Sequence, residues 1–248
     1  MKHIRPAFFA TLAMAFILNT AAVSAQGPGR GNRQGNCTQG ADIISTLPNE
    51  ELSDAEIAGM YYMIEEEKLA RDVYLALYEE WNDRIFENIA RSEQRHMDAI
   101  ENLMRKYSLE VPALEERGLF ADAELQILYN SLLEKGKISL ADALNVGATI
   151  EDLDIYDLDE RLALADNADI QMVFQNLSKG SRNHLRAFVF RLGLAGESYD
   201  AQYITDEELE TILSSPREKG SADENGEQFF RGNGRWTKGS GTAGHILM

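Results

Sequence analysis

Apolar residues recur at steps of three and four positions through most of the chain, a spacing that predicts helices. Between about Ile43 and Ser214 there is no alternation of β-branched and polar residues, and proline is rare. Four long amphipathic stretches and two short ones fit the helical spacing. We therefore expect an all-α fold, with one bundle domain over positions 46–214.

Capping residues indicate where these helices begin. A Ser or Thr followed three positions later by an acidic residue satisfies N–H groups of the first helical turn. Such pairs place helix starts at Ser53, at Ser139 and at Thr205. The second long helix is expected over about 83–107 and the fourth over about 169–194.

The connections predict how the helices are arranged. The connection near Asn82 is short, so the first and second long helices are expected to be antiparallel neighbours. About thirty residues separate the second long helix from the third, and a short helix is expected within them over 122–133. A crossover of this length lets the second and third long helices run parallel, as in four-helix bundles with one long connection.

Acidic and imidazole side chains interrupt the apolar faces of all four long helices near their middles. These residues are Glu67, Glu93 and His96, Glu151, and His184, in helix order. An ionised carboxylate in an apolar interior is costly unless it is paired, protonated or bound to a metal. The Glu93-x-x-His96 spacing places both groups on one helix face, where they can hold the same ion. The pattern predicts a metal site, and iron, manganese or zinc would suit these ligands.

Other interpretations of the same residues stay open at this level. A single Glu on a helix face often keeps its carboxylate in water, and a lone His is often a hydrogen-bonded core residue. Glu66 competes with Glu67 because its helical neighbours are also apolar, whereas Glu65 lies on a mixed face and is expected to be solvated. Three arginines offer ion pairs to buried acids instead of a metal: Arg71, Arg95 and Arg182.

Two positions make the second half of the predicted site differ from the first. Asp154 lies one turn after Glu151, where it would serve as an additional ligand or as a hydrogen-bond acceptor beside one. Ser181 stands three positions before His184, where a symmetric site would have a second Glu. Gly180 beside it leaves room for water, a ligand or substrate, so the second half is expected to be the weaker one.

The N-terminal segment of the chain predicts export. Residues 1–25 have a charged start, a short apolar run and a small-residue cleavage site, as in a secretory signal peptide. The mature protein is therefore expected to be secreted or periplasmic and not membrane-bound.

Residues 26–45 are expected to form a flexible leader, and 215–248 a disordered polar tail. Cys37 is the single cysteine, so no disulfide can form within one chain.

The chain is strongly acidic. Without Lys2 and Arg5 of the predicted signal peptide, 22 basic residues face 41 acidic ones, a formal net charge of −19. Such a surface repels nucleic acid and anionic lipid, and it attracts cations. Solubility of an exported protein explains the charge, and metal ions are the partners expected from it. A homodimer is compatible with the sequence.

Four stretches of the chain match motifs of a known superfamily. The first helix contains Glu67-Lys-Leu-Ala-Arg-Asp-Val-Tyr74, which is similar to Glu-x-x-Ala-Arg-x-x-Tyr, and the second contains Ile89-Ala-x-x-Glu-x-x-His96. Both resemble the rubrerythrin branch of the ferritin-like superfamily, and the first match selects Glu67 over Glu66. The stretches 147–158 and 180–188 resemble a bacterial ferritin-like family of unknown function. The resemblance covers about 52–214.

The resemblance implies a ferritin-like four-helix bundle with a di-iron or related di-metal centre that reacts with dioxygen or peroxide. It implies that Glu67, Glu93 and Glu151 are carboxylate ligands and that His96 and His184 are imidazole ligands. Rubrerythrins also carry a module with paired Cys-x-x-Cys ligands, which this sequence lacks, so electrons would come from elsewhere. The alternative hypothesis is a non-catalytic metal-binding or interaction module on the same bundle.

Overall fold

Four long helices form most of the described chain: α1 (Asp54–Trp81), α2 (Arg84–Lys106), α4 (Leu140–Leu162) and α5 (Ala168–Leu194). Two shorter helices are α3 (Ala123–Gly136) and α6 (Asp206–Ser214). This computed structural model describes residues 44, 46–112, 115–232 and 235–238, and it confirms the predicted all-α bundle. Over those residues, none of the helices combines the length and apolarity that a membrane span requires. The predicted signal peptide, Cys37 and nearly all of the predicted leader lie outside the described part.

The helices begin at the residues that the capping pattern predicted. Ser53 and Thr205 each form a complete capping box, in which the side chain accepts from the third helical N–H while Glu56 or Glu208 accepts from the cap. Ser139 accepts from Asp142 N at 3.0 Å at the start of α4. Local side-chain chemistry therefore sets these helix starts.

Contacts at the ends and middles of the helices give their directions. Lys106 at the end of α2 pairs with Asp169 at the start of α5 at 2.6 Å, so these two helices are antiparallel. Tyr62 near the start of α1 donates to Asp157 near the end of α4 at 3.1 Å, so these two are antiparallel as well. The turn at Asn82 reverses the chain between α1 and α2. Because α1 is antiparallel to both α2 and α4, the last two are parallel, as predicted.

The crossover that holds α3 is attached to a polar face of α1. Glu65 accepts from the backbone N–H groups of Ala121 and Asp122, at 3.1 and 3.0 Å. Lys68 and Asp72 form a buried ion pair of 2.7 Å beside it. The expectation that Glu65 is solvated is wrong, because the crossover covers this face and supplies backbone donors to it.

Part of the segment predicted to be a disordered tail is ordered, which corrects that prediction. Three short antiparallel strands follow one another in it: β1 (Ser221–Ala222), β2 (Gln228–Gly232) and β3 (Arg235–Lys238). Asn176 on α5 donates to Ala222 O and accepts from Ala222 N, and Glu218 pairs with Arg182 at 2.7 Å. Composition suggested disorder because it does not reveal these partners on α5. Positions 233–234 and 239–248 of the tail are outside the described residues.

A polar layer divides the interior of the bundle into two apolar clusters. Along α1, one cluster ends at Ile64 and the other begins at Leu69. Along α2, the clusters meet between Ala90 and Met97 in the same way. The predicted metal ligands of α1 and α2 lie in this layer, with apolar packing on either side.

Candidate metal centre

Glu93 lies between the two histidines and contacts both. Its Oε2 is 2.7 Å from His96 Nδ1, and its Oε1 is 2.9 Å from His184 Nδ1. The two imidazole rings stack with centroids 5.7 Å apart and an interplanar angle of 26°. One carboxylate of α2 therefore joins an imidazole of its own helix to an imidazole of α5.

A further glutamate flanks each histidine. Glu67 Oε2 is 3.1 Å from His96 Nδ1, and Glu151 Oε2 is 3.4 Å from His184 Nδ1. Each histidine thus forms a set with its own glutamate and the shared Glu93, and within each set the potential ligand atoms lie within 4.8 Å of one another. Each set offers one imidazole and two carboxylates as metal ligands. The types of ligand therefore do not show the weakness that was expected of the second half.

Several potential metal-ligand atoms of the centre are buried without a hydrogen-bond partner. Glu67 and Glu93 are each 1% exposed. Glu67 Oε1 has no partner, and Glu93 Oε1 and His184 Nδ1 approach each other without hydrogen-bond geometry. A buried polar atom left unsatisfied, as Glu67 Oε1 is, costs about 1–3 kcal/mol. A cation placed among these atoms would remove that cost, so the residues fit a metal ion.

The charges of the centre shift the pKa values of its members in opposite directions. Burial, and then the charges of Glu93 and Glu151, raise the pKa of Glu67 well above its ordinary value. Burial alone would also raise the pKa of Glu93, but His184 and His96 lower it. Burial would lower the pKa of His184, yet Glu93 and Glu151 raise it to about 10. Against the effect of burial, Glu93 also raises the pKa of His96, so both imidazoles are favoured in the protonated form, whose positive charge a bound metal ion would replace.

Tyr74 fixes the orientation of Glu151. Its hydroxyl donates to Glu151 Oε1 at 2.5 Å and lies 3.3 Å from Gly147 O. The fully buried ring packs against Phe188, with centroids 5.4 Å apart. With Oε1 held in this way, the other oxygen of Glu151 faces His184.

Asp154 and Ser181 contact each other beside the centre. Ser181 Oγ donates to Asp154 Oδ2, while Asp154 Oδ1 is buried without a partner. Burial raises the pKa of Asp154 well above its ordinary value, and the charges of Glu67 and Glu151 raise it further. Five of the six predicted ligands therefore come together in the two sets, and Asp154 lies next to them, outside both sets.

Gly180 has a different role from the one expected. A Cβ at this position would lie 2.6 Å from His96 Cε1 and 2.6 Å from His96 Nε2. The space beside Ser181 is thus occupied by the imidazole ring from α2. Glycine is needed here because the ring of His96 approaches the backbone of α5 closely.

The arginines considered as alternative partners of the buried acids make their contacts elsewhere. Arg95 donates to Ser92, and Arg182 pairs with Glu218. Arg71 donates to Asp72 at 2.8 Å and to Gln94. Among the described residues, the cationic groups within 4.0 Å of the three glutamates of the centre are the two imidazoles.

Sequence reasoning set aside one buried acid close to the centre. Glu66 is 2% exposed, and neither carboxylate oxygen has a hydrogen-bond partner. The motif match to Glu67 is supported by the contact of Glu67 with His96. The apolar neighbours of Glu66 were the signal of its burial, but the sequence did not show which groups of α4 it faces.

The chain belongs to the family described as an uncharacterized protein domain, DUF2202, whose model matches residues 56–216. It is 52% identical over 180 residues to the uncharacterized protein MJ0754 of Methanocaldococcus jannaschii, a match that covers 72% of this chain and 97% of that protein. The crystal structure of the hypothetical protein MJ0754 from Methanococcus jannaschii is similar, with a TM-score of 0.68 and 52% identity. That similarity covers 69% of this chain and 99% of the other. The family match includes all six predicted ligands.

Proposed function

We propose that this member of the DUF2202 family is an exported ferritin-like protein that binds two metal ions, iron first of all, and reacts with dioxygen or peroxide. The observation that supports the proposal is the position of Glu93, whose oxygens lie 2.7 and 2.9 Å from the Nδ1 atoms of two different histidines. A bridging carboxylate between two sets of carboxylate and imidazole donors suits a pair of cations in a helical bundle. The bundle and the motifs of α1 and α2 support the ferritin-like assignment, and residues 1–25 support export.

The donor set is compatible with a metal-binding module. Each half offers one imidazole nitrogen and oxygens from two carboxylates, which suit iron, manganese or zinc. Bound iron would supply one-electron redox chemistry and positions at which dioxygen or peroxide could bind. The buried donor atoms that lack hydrogen-bond partners support binding of a cation over a purely structural network.

The protein's own residues would prepare the site for that chemistry. Glu93 would hold the two halves at a fixed separation, because its carboxylate contacts both imidazoles. Tyr74 would keep Glu151 oriented through the 2.5 Å hydrogen bond. Protons on His96 and His184 would leave as positive charge enters, since imidazole binds a metal through an unprotonated nitrogen. The apolar clusters on either side would limit access of bulk water.

A second candidate function keeps the metal but omits catalysis. It is favoured by Ser181, which stands where a second bridging carboxylate would lie and which donates to Asp154. With Glu93 as the single bridge, the centre would bind metal ions for storage or stability without activating an oxidant.

Metal content combined with turnover tests the proposal and separates the two functions. The mature protein would be purified without oxygen, its metal measured per chain, and ferrous iron added, followed by dioxygen or peroxide. Two ions per chain with oxidation of the added iron would support the redox function, and bound metal without oxidation would favour the second. Glu93→Ala should abolish binding and His96→Ala should remove the ion of its own half, while Glu160→Ala, at an exposed position of α4, serves as the control. Absence of bound metal in the wild type, with unchanged stability of both variants, would contradict both functions.

A further inference from the structure

One face of α4 carries a row of charged residues that extends away from the centre. Glu151, Asp154, Asp157 and Arg161 follow one another at steps of three and four positions. This spacing places them on the same side of the helix. Glu151 belongs to the centre, and Asp157 is partly exposed. The row therefore links the buried centre to the surface between α1 and α4.

Glu66 of α1 faces the middle of this row. Both of its oxygens are buried and accept no hydrogen bond from an N–H or alcohol group of the described residues, and the neighbouring polar group is the carboxyl of Asp157. Burial raises the pKa of Glu66 well above its ordinary value, and the charges of Asp157 and Asp154 are the next largest causes. Glu66 thus lies close to both aspartates and has no cation of its own within 4.0 Å among the described residues. A buried carboxylate without a partner indicates a position where a cation would be stabilised.

The inner and outer ends of the row have different surroundings. At the inner end, Asp154 directs an unpartnered Oδ1 into the interior and interacts electrostatically with Glu67 and Glu151. At the outer end, Tyr62 donates to Asp157 Oδ2 at 3.1 Å, and the guanidinium of Arg161 lies 4.7 Å from the centre of the Tyr62 ring. Burial raises the pKa of Asp157, and the contact with Glu66 and the charge of Arg161 oppose part of that rise.

We propose that Asp157, Glu66 and Asp154 form an entry path, along which a divalent cation passes from solvent to the metal centre. The inference rests on the proposed metal-binding function. Among the described residues, these three carboxylates do not form a group of three ligand atoms within 4.8 Å of one another, so they offer weaker sites than the centre does. Successive weak sites of this kind suit transfer, since an ion must enter each site and also leave it.

The competing explanation is that Glu66 is protonated and donates a hydrogen bond to Asp157, so that the pair has a purely structural role. Glu66→Gln distinguishes the two, because an amide can still donate to Asp157 but cannot carry negative charge. Asp157→Asn makes the same change at the outer end. Asp159→Asn is the matched control, because it removes one negative charge from the same helix at an exposed position outside the row.

The experiment measures how fast the metal-free mature protein takes up cobalt(II), followed by the visible absorbance of the bound ion after rapid mixing. We expect uptake to be slower by about tenfold or more in Glu66→Gln and Asp157→Asn, with the wild-type amount of cobalt bound at the end. Asp159→Asn should load at the wild-type rate.

Wild-type rates in both path variants would overturn the entry path without contradicting the metal centre. A reduced final amount in Glu66→Gln would also overturn it, since Glu66 would then be a ligand. Absence of cobalt binding by the wild type would overturn the metal centre and the path together.

Discussion

Glu93 Oε1 lies 2.9 Å from His184 Nδ1, although the two residues belong to different helical hairpins of the bundle. The α1–α2 hairpin carries Glu67, Glu93 and His96, and the α4–α5 hairpin carries Glu151 and His184. The contact joins the ligands of both hairpins into one centre. Glu93 is consequently the residue on which both halves depend.

Replacement of Glu93 should affect both halves of the centre, whereas replacement of Glu151 should affect one. We expect Glu93→Gln to lose both metal ions and Glu151→Gln to retain one, measured as metal per chain. Removal of one partner of a buried ion pair costs about 3–5 kcal/mol, so the metal-free Glu93→Gln protein should also unfold at lower denaturant concentration. Glu160→Gln should match the wild type in both measurements. Retention of two ions by Glu93→Gln would contradict the bridging role.

Metal binding should depend on pH because protons must leave the site. The pKa of His184 is raised to about 10 in the metal-free protein, so its imidazole carries a proton at neutral pH. Affinity for zinc should therefore rise as the pH increases from about 6 to 9, as the cost of removing protons falls. Calorimetric titration in buffers of different ionisation enthalpy would count the protons released. An affinity that stays constant over this range, with no proton release, would show that the imidazoles do not bind the metal.

Addition of one methyl group at Gly180 should displace His96. The new Cβ would lie 2.6 Å from two atoms of a ring that Glu93 and Glu67 hold in place. We expect Gly180→Ala to lower the free energy of unfolding by about 1–3 kcal/mol and to weaken metal binding at the His96 half. Gly193→Ala on the same helix is the control, because a Cβ there meets nothing within 4 Å. Its stability should equal or exceed that of the wild type, since alanine favours helix. Equal behaviour of the two variants would contradict the close approach of His96 to α5.

Attachment of the C-terminal segment to α5 should depend on the ionisation of Glu218. Burial would raise the pKa of this carboxyl, but hydrogen bonds and charges from Arg182 and Arg186 lower it below its ordinary value of 4.5. A carboxyl whose pKa is lower in the folded protein stabilises the fold above its unfolded pKa, and this stabilisation is lost as the pH falls through the folded value. Glu218→Gln should therefore be less stable than the wild type at pH 7, and the difference should shrink below about pH 4.5.

Urea unfolding of both proteins at several pH values would measure this effect of Glu218. Glu207→Gln, at an exposed position of α6, is the control for loss of one negative charge. A difference between Glu218→Gln and the wild type that persists unchanged at low pH would show that packing, and not the ion pair, holds the segment.

Helix starts and the polar layer could be predicted from sequence because both depend on neighbours within one helix. The Ser53 and Thr205 boxes involve residues three positions apart, and the spacing of Glu93 and His96 places them on one face whatever surrounds the helix. The burial of Glu65 could not be predicted in this way. Its mixed helical face looks solvated until the crossover supplies the backbone donors that bind it.

The sequence by itself determined the four helices and the set of acids and imidazoles at mid-length, because capping and helical periodicity act locally. The lengths of the connections indicated the helix directions. Only the tertiary structure decided which of those groups meet. Three features depend on how segments distant in sequence pack together. They are the contact of Glu93 with His184, the hydrogen bond from Ser181 to Asp154, and the burial of Glu66 against α4. The physical reason is that helical spacing specifies the face on which a side chain lies, while packing specifies what that face meets.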